Sequence, residues 1–170
     1  MEDTRSKQKN MMERLCFFIG DWNLEYKIPK SRFSEAATGT GTGTFSRALN
    51  DKYVYFDYSC SLTTGDGEAH GIFAWDQKAK VYRYWWFEDS GDFSEAAGDF
   101  IDDETLFLKW HDTSLIQTFK KIDGDKLVLK MESKTTRGKY ELILEVMFTR
   151  KRDPEQESFR SFPDSWPSPA

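Results

Sequence analysis

The chain has 170 residues and a formal net charge of −5, and these two values exclude several kinds of protein. A single domain of this size buries about 70% of the surface that its unfolded chain exposes, so it folds without disulfides or structural metals. The negative charge and the absence of a basic stretch argue against a nucleic-acid partner, and no apolar run reaches the roughly 18 residues of a membrane-spanning helix.

A short helix and the first strand meet at Gly20. Residues 1–9 are polar and are expected to form an N-terminal extension, whereas apolar side chains recur at helical spacing over residues 10–19. From Gly20 to Ile28 apolar and polar residues alternate, which is the period of a half-buried strand. Glycine turns such a corner at little cost because it tolerates positive φ. The pattern predicts a helix over residues 10–19 that runs directly into a strand.

The next strand, Thr38 to Phe45, alternates threonine with glycine. One of its faces therefore carries almost no side chains. Glycines inside a strand mark bends or a close approach of another backbone, and bends of this kind let a sheet roll up.

Further strands follow at short intervals as far as Arg150. Glycine, aspartate and serine residues mark the hairpin turns between them, and no second helical pattern is long enough for a crossover between parallel strands. We predict strands over residues 52–61, 67–75, 80–88, 93–101, 105–110, 113–122, 126–133 and 139–150. A twisted antiparallel meander of this size either closes or splits into a sandwich, and closure removes the exposed edges. The predicted fold class is all-β, a closed antiparallel meander barrel of about ten strands with one short N-terminal helix.

Residues 151–170 differ in composition, because they hold four of the five prolines. This tail is expected to be disordered and to lie outside a barrel domain that spans residues 10–150. Its apolar residues Phe159, Phe162 and Trp166 leave a second interpretation, a strap laid over the barrel wall or over a partner chain.

The order of elements resembles the calycin superfamily of lipocalins, fatty-acid-binding proteins and nitrobindin-like barrels. Within it the chain is most similar to small bacterial lipocalin-like domains of unknown function. The matching features are Leu15 to Trp22, the Gly-Thr strand, Gly71 with the Trp75-Asp76 corner, and Trp86 to Gly91, and the similarity covers residues 10–150.

The resemblance implies a structural role for Gly20, Trp22 and Arg150. In calycins the tryptophan that follows this glycine closes one end of the barrel, and a basic residue of the last strand stacks on it and reaches the helix carbonyls. A guanidinium over an indole ring gains about 0.5–2 kcal/mol, which supports the pairing of Trp22 with Arg150.

The resemblance also implies ligands that this chain does not match. Fatty-acid-binding proteins hold a carboxylate with an Arg-x-Tyr pair on the last strand, and residues 140–150 contain no such pair. Nitrobindin-like barrels bind haem through a histidine late in the chain, whereas His70 and His111 are the only histidines here. We therefore expect no cofactor and no metal.

The strand over residues 81–88 is aromatic on both faces, which leaves its orientation open. If Arg83, Trp85 and Phe87 point inward, Arg83 is a buried cation that requires a ligand carboxylate or Asp57 as its partner. The alternative places Tyr82, Tyr84, Trp86 and Glu88 inside and leaves Arg83 in solvent, which costs little, so we favour it. The aromatic face left outside would be a surface for self-association.

Three functions follow from these alternatives. The first is a cytoplasmic barrel that binds a small apolar or aromatic molecule. The cytoplasmic location is expected because the chain has only two cysteines and a polar start without features of a secretion signal. The residues expected to line the site are Trp22, Tyr26, Phe56, Tyr84, Trp86 and Trp110, with Tyr82, Arg83, Glu88 and His70 as candidate polar anchors.

The second function is an enzyme for proton-transfer chemistry, such as decarboxylation or isomerisation. Motifs of hydrolases and phosphate-binding loops are absent, so such an enzyme would rely on Tyr58, Tyr82, Tyr84, Asp57 and Glu88. The third function is a barrel filled by its own side chains, whose exposed aromatic residues form a homodimer.

Overall fold

A computed structural model describes residues 4–152 of the chain, so the expectations for the tail from residue 153 onward lie outside the described residues. The described part contains one α-helix, one short 3₁₀ turn and ten strands. The elements are α1 (Thr4–Glu13), the 3₁₀ turn Cys16–Phe18, β1 (Gly20–Ile28), β2 (Ala37–Ala48), β3 (Tyr53–Leu62), β4 (Gly65–Asp76), β5 (Val81–Glu88), β6 (Phe93–Phe100), β7 (Thr105–Trp110), β8 (Leu115–Lys121), β9 (Lys126–Lys134) and β10 (Tyr140–Arg150).

The ten strands form a closed antiparallel barrel, which confirms the predicted fold class. Each strand pairs with its neighbours in sequence, and β1 closes the barrel by pairing with β10. In that pair Trp22 lies opposite Arg150 and Lys27 lies opposite Glu145. The strand boundaries follow the alternating pattern closely, although β2 continues to Ala48 instead of ending at Phe45.

The N-terminal helix differs from the prediction of one helix over residues 10–19. It begins at Thr4, inside the expected polar extension, and ends at Glu13. The following residues tighten into a 3₁₀ turn, in which the Phe18 amide donates to the Leu15 carbonyl at 3.1 Å. This turn directs Leu15 and Phe18 into the end of the barrel, where both are fully buried. No helix within residues 4–152 is long and apolar enough to cross a membrane.

The glycines of β2 let this strand lie unusually close to β3. A Cβ atom added at Gly41 would lie 3.1 Å from the Cys60 Cα, and one added at Gly43 would overlap the Phe56 ring. Because these positions carry no side chain, atoms of β3 approach β2 closely, which is one of the reasons for glycines inside a strand.

Aromatic side chains fill one end of the barrel. The Phe18 ring centroid lies 5.1 Å from that of Phe45, 5.8 Å from that of Phe73 and 5.2 Å from that of Phe119. Phe18, the last residue of the 3₁₀ turn, is thus a plug between three strands. We call this the closed end.

Trp22 and Arg150 lie together beneath this plug. The Trp22 indole N–H donates to the Phe18 carbonyl at 2.7 Å, and the Arg150 guanidinium carbon lies 4.2 Å from the Trp22 ring. Arg150 Nη1 and Nη2 donate to the carbonyls of Ile19 and Phe17 at 2.7 and 2.8 Å. The guanidinium therefore joins the last strand to the 3₁₀ turn, as the calycin resemblance implied.

Gly20 makes room for this arrangement. Its φ of +133° is one that other residues rarely adopt, and a Cβ atom there would lie 2.7 Å from Arg150 Nη1.

Candidate ligand-binding cavity

The opposite end of the barrel is hollow. A cavity of about 350 Å³ lies where odd-numbered strands end and even-numbered strands begin, and we call this the open end. Ligand cavities in proteins span about 300–1,000 Å³, so this one has room for a single small molecule. The lining residues are Leu24, Tyr26, Phe56, Tyr58, Tyr84, Trp86, Glu88, Ser94, Trp110, Thr113, Leu115, Gln117, Leu129, Met131, Leu144, Val146 and Phe148.

Five aromatic side chains form a continuous part of the cavity wall, and we call them the aromatic wall. They come from the odd-numbered strands β1 to β7 and are Tyr26, Tyr58, Trp86, Tyr84 and Trp110. Successive ring centroids in this order lie 6.1, 5.2, 5.9 and 5.8 Å apart. With Phe56 and Phe148, seven of the 27 aromatic residues of the chain border this space.

Gly71 of β4 makes room for one ring of the aromatic wall. It pairs with Phe56 on one side and with Trp86 on the other, and it is buried on the inward face of β4. A Cβ atom at this position would lie 2.6 Å from the Tyr84 hydroxyl oxygen. The glycine therefore allows the Tyr84 hydroxyl to extend across β4.

Three tyrosine hydroxyls supply polar groups to the cavity. Burial raises the pKa of Tyr26, Tyr58 and Tyr84 above the ordinary tyrosine value, and the nearby Tyr58 raises the pKa of Tyr26 and Tyr84 further. An ordinary tyrosine is already protonated at neutral pH, and the raised pKa values of these three make them still harder to ionise. They can act there as donors and acceptors of hydrogen bonds.

Gln117 of β8 supplies a buried amide to the same cavity. Its Oε1 accepts a hydrogen bond from the Trp110 indole N–H at 3.2 Å, and its side chain is only 3% exposed. An indole N–H can only donate, so it fixes which end of the amide carries the oxygen. This hydrogen bond uses Oε1, and the Gln117 amide nitrogen carries two further protons that can be donated.

Glu88 lies at the rim of the cavity, where β5 ends. Its Oε1 accepts a hydrogen bond from the Trp86 indole N–H at 3.0 Å, and its Oε2 lies 3.5 Å from the Ser90 hydroxyl oxygen. Of the lining residues in the described part of the chain, Glu88 alone carries a charge.

The structure separates the residues that the sequence predicted to line the site. Tyr26, Phe56, Tyr84, Trp86 and Trp110 border the cavity. Trp22, which was predicted to join them, instead lies at the closed end under Arg150.

Tyr82, one of the four candidate anchors, also lies at the closed end. Tyr82 faces inward, which is the orientation of β5 that the sequence analysis favoured. Its hydroxyl donates a hydrogen bond to the Met11 carbonyl at 2.5 Å. Tyr82 therefore fastens α1 to the barrel and does not reach the cavity.

Arg83 lies on the outer face of β5, between two carboxylates. Its Nε lies 2.8 Å from Asp76 Oδ2 and its Nη1 lies 3.0 Å from Glu95 Oε1. The hydrogen bond to Asp76 is the main reason that the pKa of Arg83 is raised. Arg83 therefore points outward, as the sequence analysis favoured, but it is paired with two carboxylates instead of lying free in solvent. The alternative of an inward Arg83 held by a ligand carboxylate or by Asp57 does not occur.

His70 also lies on the outer face, because its neighbours Gly71 and Phe73 face inward. Its Nδ1 is hydrogen-bonded to Asp57 Oδ1, and neither residue lines the cavity. Within residues 4–152 no group of three or more His, Cys, Asp or Glu side chains is arranged to hold a metal ion.

Comparison with known proteins relates the barrel to solved structures of very low sequence identity. No protein-family model and no curated protein matches the chain. The crystal structure of Rv2717c from M. tuberculosis matches with a TM-score of 0.63 and 12% identity, over 84% of this chain and 98% of that one. The S-type phycobiliprotein lyase CPES from Guillardia theta matches with a TM-score of 0.54 and 10% identity, over 89% and 99%. The chain therefore shares the antiparallel barrel fold of these two proteins.

Proposed function

We propose that this protein binds one small, largely apolar or aromatic molecule in the cavity at the open end. The observation that carries the proposal is the contrast between the two ends of the barrel. Phenylalanine rings pack the closed end, whereas about 350 Å³ remains between the aromatic wall and the aliphatic side chains opposite. A mostly apolar lining with a few placed polar groups is typical of small-molecule sites.

The tyrosines favour binding over the proton-transfer chemistry that the sequence left open. A tyrosine whose pKa is raised by burial is a poor general base at neutral pH, because the hydroxyl holds its proton. Asp57, a second candidate for such chemistry, is hydrogen-bonded to His70 on the outer face. In a binding site, the same hydroxyls can orient a ligand through hydrogen bonds.

We also propose that residues 10–150 form a lipocalin-like domain of the calycin type that works in the cytoplasm. The contacts of Arg150 with Trp22 and with the carbonyls of Phe17 and Ile19 support this relationship. The low number of cysteines supports the location.

A homodimer is a second candidate, because two phenylalanines are exposed on the outer face. Phe87 is 43% exposed and Phe93 is 77% exposed, and their ring centroids lie 6.4 Å apart. Contiguous exposed apolar surface marks contact sites in many proteins. A native mass spectrum that shows only the monomer at micromolar concentration would contradict this candidate.

Titration with 1-aminoanthracene, an uncharged aromatic fluorophore, tests the binding proposal. We expect one saturable site with a blue-shifted emission, because the dye would leave water for the cavity. Met131→Trp places a large ring inside the cavity and should weaken binding by about tenfold or more, because the added volume competes with the dye.

Lys130→Trp is the matched control for this experiment. It adds the same side chain at the neighbouring position, which points to the opposite face of β9 and is exposed. We expect wild-type affinity for this variant. Equal affinities of the Met131→Trp and Lys130→Trp variants, or an unchanged dye spectrum with the wild type, would contradict the proposal.

A further inference from the structure

We infer that the cavity selects an organic cation, an ammonium group carried on an apolar or aromatic body. The inference rests on the proposed function and adds the charge of the ligand. Three features of the open end lead to it: the position of Glu88, the aromatic wall, and the absence of basic side chains from the described lining residues.

The Glu88 carboxylate is held beside the aromatic wall. Its hydrogen bond from the Trp86 indole N–H, at 3.0 Å, ties one carboxylate oxygen to a residue that lines the cavity. The Trp86 ring in turn stacks on Tyr58, with centroids 5.2 Å apart. A cation at this part of the rim would meet a negative charge and two electron-rich rings together.

The aromatic wall favours a cation for a second reason. Ammonium groups are attracted to the negative faces of tryptophan and tyrosine rings within about 6 Å, and sites that recognise quaternary ammonium groups are built from such rings. The five residues of the aromatic wall provide an extended surface of this type. A quaternary group needs no hydrogen-bond partner, so it fits a lining that is mainly apolar.

Basic residues are absent from the lining within residues 4–152, which disfavours an anion. Arg32, from the loop between β1 and β2, reaches the rim on the side of β9, across the barrel from Glu88. Its Nη2 donates to the Ser133 hydroxyl at 2.7 Å and to the Lys134 carbonyl at 3.4 Å. A carboxylate that entered the cavity would lose its hydration and find no cationic partner among the lining residues.

Competition between three probes of matched shape tests the inference. The probes are benzyltrimethylammonium, its uncharged carbon isostere neopentylbenzene, and the anion benzylsulfonate, each measured by displacement of 1-aminoanthracene. We expect the cation to bind about five- to tenfold more tightly than the uncharged isostere, as a cation–π contact at a partly exposed site implies. The anion should bind most weakly.

Glu88→Gln isolates the contribution of the carboxylate. The amide oxygen can still accept the Trp86 indole N–H, so the wall keeps its geometry while the charge is removed. The advantage of the cation over the uncharged isostere should fall several-fold, and the affinity for the isostere should not change. Asp89→Asn is the matched control, because it removes one charge at the next position, outside the lining residues, and should keep the advantage.

The outcomes separate this inference from the proposed function. Three results would overturn the preference for a cation and leave the proposed binding cavity intact. The uncharged isostere displaces bound 1-aminoanthracene as well as the cation does, the anion displaces it better, or none of the probes displaces it. An advantage of the cation that Glu88→Gln and Asp89→Asn reduce equally would also overturn the role of Glu88. Failure of the wild type to bind the dye would remove the proposed function itself.

Discussion

Replacement of Phe18 by alanine should lower the free energy of unfolding by about 3–5 kcal/mol. The Phe18 side chain is 0% exposed and contacts rings from three strands, so its removal leaves a void that these rigid walls cannot fill. Urea denaturation followed by tryptophan fluorescence measures the change.

Phe17→Ala is the control for this substitution. The Phe17 ring stacks on Phe18 with centroids 4.2 Å apart, but it remains partly exposed and lies outside the plug. We expect a loss of about 1 kcal/mol, which is the common cost of a substitution that opens no large cavity. Equal losses for the Phe17→Ala and Phe18→Ala variants would show that Phe18 does not plug the barrel.

The second large effect is expected at Arg150, whose replacement by alanine should cost about 2–4 kcal/mol. The substitution removes two charge-assisted hydrogen bonds to the carbonyls of Phe17 and Ile19, together with the contact on the Trp22 ring. The side chain is only 27% exposed, so water would replace these contacts incompletely. Urea denaturation again provides the measurement.

Arg152→Ala provides the comparison, because it removes the same side chain two positions further on. Arg152 is 47% exposed, and its Nη2 lies 3.4 Å from Asp125 Oδ2. Exposed ion pairs contribute about 0–1 kcal/mol, so this variant should be nearly as stable as the wild type. An Arg150→Ala variant as stable as Arg152→Ala would contradict the structural role of Arg150.

The barrel could be predicted from the sequence because alternation and turn residues are local signals. Each antiparallel strand has one face toward the core, so its period of two is visible in the chain. The N-terminal helix was less predictable. The apolar residues between Met11 and Ile19 combine an α-helical turn with a 3₁₀ turn, and the two periods differ too little to be separated over so short a segment.

The alternation indicates which residues face inward but not their height along the barrel axis. Trp22 and Tyr82 face inward, as do Tyr26 and Tyr84, yet the first two lie at the closed end and the others border the cavity. Height depends on how β1 and β10 pair when the barrel closes, and this register is a property of the whole sheet. Alternation alone therefore predicted the inward aromatic residues without separating the cavity lining from the closed end, although the calycin resemblance implied that Trp22 lies at one end.

Gln117 was missed although a signal for it exists. It occupies the inward position between Leu115 and Phe119 on β8, where a polar residue interrupts an apolar face. A buried amide of this kind requires a partner, and Trp110, seven positions earlier, provides one. His70 could not be placed in the same way, because Ile72 and Phe73 make both faces of β4 apolar near it.

Native mass spectrometry of the protein purified from its own host tests the central claim most directly, namely that the open end of the barrel holds a small molecule. We predict one non-covalent adduct of constant mass on the wild type and on Lys130→Trp, and its loss from Met131→Trp. Identical adduct-free spectra for all three proteins, or an adduct that persists on Met131→Trp, would contradict a ligand in this cavity.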